Sequence, residues 1–99
     1  MYKIDYKNKR IKVNAEDTLV WINTPEGNEE EYDPIEFSFK DLLVVWRPDF
    51  LHNWAYSEFM IEVTGEEGDY ENNFYTFLGE TSFIKQMHKD FSKIKEELA

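Results

Sequence analysis

Two histidines, His52 and His88, and twenty-one carboxylates are the side chains best suited to acid–base or metal chemistry in this chain, which contains no cysteine. Without thiols there is no disulfide framework, no thiolate nucleophile and no Cys-based zinc or iron–sulfur site. Neither histidine belongs to a His-Glu-x-x-His pair. His88 follows Met87 beside an apolar stripe and reads as a residue at the edge of a core, and His52, in the loop after Pro48, reads as structural or interfacial. Two carboxylates at the right separation suffice for glycoside hydrolysis, but among twenty-one acids such a pair arises by chance. The acid-rich run Glu66-Glu67-Gly68-Asp69-Tyr70-Glu71 lacks the opening residues and the final Glu of a calcium loop. The four glycines (Gly27, Gly65, Gly68, Gly79) match neither a dinucleotide-binding loop nor a P-loop, and there is no Gly-x-Ser-x-Gly elbow. The expectation is therefore a protein that is not an enzyme and needs no cofactor or metal.

What remains is the distribution of charge. The net charge is −10. Residues 1–13 set five bases against Asp5, a balance of +4, and residues 81–99 balance at +1. Residues 14–80 hold seventeen acids against only Lys40 and Arg47. Such a field opposes direct binding to nucleic acid or to an anionic membrane.

The acids gather in two stretches: Glu26, Glu29, Glu30, Glu31 and Asp33, then Glu66, Glu67, Asp69 and Glu71. One such stretch reads as a solvated face. Two, in a segment nearly devoid of bases, carry a self-repulsion that a basic partner would relieve, and that partner would be steered in by the same field. A third stretch, Trp46-Arg47-Pro48-Asp49-Phe50-Leu51-His52-Asn53-Trp54, has the composition of an interface hot spot. The competing reading is that Trp46 and Trp54 pack inward and close one end of the core.

The function expected from these residues is that of a small acidic inhibitor whose carboxylates occupy the basic nucleic-acid-binding site of a target enzyme. A phage-type counter-defence protein, such as an anti-CRISPR or antirestriction inhibitor, fits that description. Two alternatives stand beside it: an immunity protein that neutralises a nuclease toxin, and a small carboxylate- or metal-dependent enzyme. The N-terminus lacks the apolar run of a signal peptide, and nothing approaches the roughly 18 apolar residues of a membrane span, so a cytoplasmic setting is expected.

The elements that must position these groups are legible from hydrophobic period. Ninety-nine residues suit one domain, taken as residues 1–99, and seventeen aromatics give even a small core a large apolar area to bury. Tyr2, Ile4 and Tyr6, then Ile11 and Val13, alternate with polar residues about a turn at residues 7–9, which predicts a hairpin. Residues 18–23 predict a central strand, residues 24–34 a loop, and residues 35–40 another strand. Residues 41–46 fit either a short helix capped by Ser38 and Asp41 or a strand, with Pro48 ending it. Residues 55–64 alternate strictly, and residues 70–78 return after a turn at Gly65–Asp69. Phe83, Ile84, Met87, Phe91, Ile94 and Leu98 form one stripe of a helix over residues 81–98, with Thr81 or Ser82 as its cap. The predicted fold is α+β: an antiparallel sheet of five to six strands with one C-terminal helix packed across one face.

Overall fold

The computed structural model describes residues 2–14, 19–24, 27–31, 35–51, 55–65 and 72–98. The fold class is α+β, with a C-terminal helix and antiparallel sheets. The strands, however, are shared between two sheets instead of forming the single sheet expected.

The smaller sheet starts with the predicted hairpin. Strand β1 (Tyr2–Asp5) pairs with β2 (Arg10–Val13) through Tyr2↔Val13 to Asp5↔Arg10. The turn is closed by Asp5, whose carboxylate accepts from the Asn8 side-chain amide at 2.8 Å and from the Asn8 backbone N–H at 3.1 Å. Those two bonds, the side-chain one first, hold the Asp5 carboxyl below the usual carboxylate range. Lys9 completes the turn in the left-handed region at φ 55°. A third strand, β5 (Ile35–Ser38), adds to β2 with Ile11 opposite Phe37 and Val13 opposite Ile35. Ile11, Val13, Ile35 and Phe37 are buried, whereas Arg10, Lys12 and Glu36 on the other face are exposed. Arg10 Nε pairs with Glu36 there at 3.2 Å.

Residues 41–46, open to two readings in the sequence, divide between both, and the turn also takes Phe39 and Lys40 from the strand expected over residues 35–40. Phe39–Asp41 is a 3-10 turn in which Ser38 Oγ donates to Asp41 Oδ2 at 2.6 Å, and β6 (Leu42–Val45) follows as a strand. This turn separates the sheets. β5 stays with β2, while β6 joins a six-stranded sheet ordered β4-β3-β9-β8-β6, in which β7 also pairs with β8. Its members are β3 (Leu19–Thr24), β4 (Gly27–Glu31), β7 (Asp49–Leu51), β8 (Tyr56–Val63) and β9 (Asn73–Glu80). Residues 24–34 are thus not all loop, because Gly27–Glu31 forms a strand on β3 with Thr24 opposite Gly27. Acidic composition hid that strand, since Glu and Asn are poor strand formers whose pairing is decided by a neighbour and not by propensity. The turn expected at Gly65–Asp69 extends beyond the described residues.

Helix α1 (Thr81–Lys93) continues in π-helical geometry through Ile94–Leu98. Neither Thr81 nor Ser82 caps it. Glu80 occupies that place with no side-chain cap, while Thr81 lies inside the helix. The Thr81 backbone N–H donates to Ala55 O at 3.0 Å, and its hydroxyl meets buried Ser57 Oγ at 2.9 Å. Tying the helix start to β8 satisfies Ser57, which would otherwise be a costly buried hydroxyl.

The helix stripe needs two sheets because it is too wide for one. Ile84, Met87, Phe91 and Ile94 are all fully buried. The Phe91 ring makes edge contacts with Tyr2 and Phe37 of the small sheet and with Phe59 and Phe77 of the large one, at centroid distances of 5.8–6.2 Å. Phe83 is only half-buried and leans on Tyr2 at 5.7 Å. A second tie joins helix and hairpin: the Tyr2 hydroxyl donates to Asp90 Oδ2, and Gln86 donates to Asp90 Oδ1 at 3.0 Å. Burial first, and then the hydrogen bond and charge of Asp90, push the Tyr2 phenol well above its ordinary range.

Two outcomes are expected. Phe91→Ala should lower the unfolding free energy by about 3–5 kcal/mol, a large share of the roughly 5–15 kcal/mol of a small domain, as read by urea denaturation. The folded state holds the Tyr2 proton more tightly than the unfolded chain, so that contribution is complete below about pH 10 and lost as pH rises further. In the same assay above pH 10, Tyr2→Phe should therefore lose stability less steeply than the parent.

Candidate functional site

The sequence directed attention to the acidic stretches and to the tryptophan-bounded turn. Of the first stretch, Glu29, Glu30 and Glu31 lie on β4, opposite Ile22, Trp21 and Val20 of β3. Among the described residues β4 is an end strand of its sheet, so these acids sit at a sheet edge. Glu26, Asp33, Glu66, Glu67, Asp69 and Glu71 lie outside the described residues, as do His52 and Trp54. Carboxylates along an edge strand oppose pairing with another chain's backbone, one way proteins keep such edges from aggregating.

Trp46 does not pack inward as one reading had it; 45% of its surface is exposed. The reason lies in how the chain runs along β8. β6 pairs with the Ile61–Val63 end of that strand and β7 with its Tyr56–Glu58 end. Between them the ladder continues only as far as Trp46, whose N–H donates to Met60 O at 2.9 Å. Arg47 and Pro48 then leave the sheet. Proline has no N–H to offer a ladder, which makes this the natural point for the edge to break.

The break opens a notch of about 440 Å³. Trp46, Arg47 and Asp49 line one wall, and Glu58, Met60 and Thr76 belong to β8 and β9 beneath, where Met60 and Thr76 are register partners. Phe59 contributes to the notch while meeting Phe77 and Phe91 within the core. Asp49 stands directly opposite Glu58 in the β7–β8 register. Like charges at such a position repel. Arg47 is exposed, and among the described residues no ion pair joins it to either carboxylate.

His88 supports this segment from the helix. Its Nε2 lies 3.0 Å from the Trp46 carbonyl oxygen, and its ring meets Phe59 edge-on at 5.3 Å. A carbonyl only accepts, so the imidazole carries a proton on Nε2 and donates it. The residue is half-buried at the rim of the core, the place its sequence neighbourhood suggested. Among the described residues no three His, Asp or Glu side chains gather as a metal site. No described helix is long and apolar enough to cross a membrane.

The opposed Asp49 and Glu58 were not singled out in the sequence. The only available signal was Pro48 interrupting an apolar run, and it gives no register. Because Trp46 is half-exposed, Trp46→Ala should cost no more than about 1 kcal/mol in chemical denaturation, while the smaller but buried Phe59, replaced by Ala, should cost about 3–5 kcal/mol.

No family model, curated protein or solved structure matches this chain.

Proposed function

We propose that this protein is an inhibitor that binds a basic protein partner and occupies the site where that partner, a nucleic-acid-handling enzyme, receives its phosphate backbone. A phage-type counter-defence role is the biological setting that suits such an activity.

The observation that carries the reading is the run of Glu29, Glu30 and Glu31 along a terminal strand of the larger sheet. A β-strand advances about 3.3–3.4 Å per residue, and one strand of B-DNA carries a phosphate about every 3.4 Å along its axis. Alternate residues of a strand share a face, so Glu29 and Glu31 occupy one face about 6.8 Å apart, two phosphate steps, with Glu30 on the other. The surrounding charge works the same way, since residues 14–80 carry a balance of −15 that attracts a basic groove at long range.

The test is affinity capture from the native host, followed by kinetics with the retained protein. That protein should be a nucleic-acid-binding enzyme, and DNA or RNA should compete with the inhibitor for it. Converting Glu29, Glu30 and Glu31 together to Lys should slow association by roughly tenfold at low ionic strength. The difference should shrink as salt rises, because the Debye length is only about 8 Å near physiological ionic strength. An unchanged association rate and unchanged salt dependence in the folded triple variant would remove the basis for the reading.

A further inference from the structure

The notch between β6 and β7 has a chemistry of its own. Its walls bring together a half-exposed indole, a methionine and two carboxylates that face each other across a strand pair. With Arg47 included, the three charged groups at the notch still sum to −1. The opposition of Asp49 and Glu58 works against the β7–β8 pairing, and among the described residues no ion pair joins either carboxylate. A cation between the two carboxylates would turn that repulsion into two attractions.

The apolar components of the notch select the kind of cation. A small hydrated ion gains nothing from an indole and a thioether and must shed water to approach them. A guanidinium is planar and weakly hydrated, stacks on aromatic faces, and has donors enough to bond two carboxylates at once. A lysine ammonium shares the charge but not the plane. We therefore propose that this notch receives an arginine side chain of a protein partner, stacked against Trp46 and bonded to Asp49 and Glu58. The partner's basic character rests on the function proposed above; the recognition chemistry rests on the notch alone. The site lies at a broken sheet edge and is separate in sequence from the acidic run on β4. It would thus supply a short-range anchor, where the glutamates supply long-range steering.

The experiment titrates the full chain, labelled with ¹⁵N, with the peptide acetyl-Gly-Arg-Gly-amide and with its citrulline counterpart, which keeps the shape and loses the charge. Saturable shifts are expected at the Trp46 indole N–H and at the backbone amides of Glu58, Phe59 and Met60. The citrulline peptide should bind at least tenfold more weakly. Asp49→Asn combined with Glu58→Gln should weaken the arginine peptide at least fivefold while leaving the melting temperature unchanged or raised, since the repulsion is gone. Trp46→Ala should weaken it as well, and Trp46→Phe should retain most of the binding. Equal binding of the two peptides would overturn the proposal. So would arginine-dependent shifts confined to other acidic segments, or calcium ions moving the notch signals when the arginine peptide does not. The peptide is read on the isolated protein. Loss of partner binding on charge reversal of β4 with no arginine binding at the notch therefore sinks this inference alone, and the converse result sinks the proposed function alone.

Discussion

The ring of Phe91 is where the two sheets and the helix meet, and the remainder of the architecture depends on its being enclosed from both sides. Tyr2 and Phe37 approach it from the smaller sheet, Phe59 and Phe77 from the larger. Edge-to-face contacts of this kind have narrow geometric preferences, so they set orientation as well as adding burial. A single flat sheet would cover one flank of the helix stripe and leave the other in water. The 3-10 turn at Phe39–Asp41, with the Phe39 N–H bonded to Lys9 O and the Asp41 carbonyl to the Thr64 N–H, lets one chain build walls on both sides.

That enclosure also explains why so much charge is tolerated. The small sheet turns Arg10, Lys12 and Glu36 outward, where they remain hydrated. The outer face of β8 alternates half-buried Glu58, Met60 and Glu62 with the buried Phe59, Ile61 and Val63 on the helix side. Ser57 is the only buried polar side chain among the described residues, and it meets the Thr81 hydroxyl. Charge repulsion is therefore left to the surface, where solvent screens it, and the core is kept free of unpaired ions.

Core and surface meet at His88. One ring touches Phe59, donates to the Trp46 carbonyl and so holds the segment where the sheet edge breaks. The notch is thus not a loose loop feature. It is supported by the same packing that surrounds Phe91.

Local pattern alone determined the hairpin of β1 and β2, the alternating strand β8 and the helix stripe, because strand period and helix period are properties of consecutive side chains. It also determined the uneven charge that makes a basic partner the natural expectation. Three matters were settled only by the tertiary structure. Whether β5 joined β2 or β6 depended on hydrogen bonds between segments remote in sequence, which no local signal encodes. The glutamates of β4 became a strand because β3 offered an edge, overriding a composition that reads as loop. The exposure of Trp46 and the opposition of Asp49 to Glu58 followed from register along β8, and a shift of one residue would have moved every side chain involved to the other face.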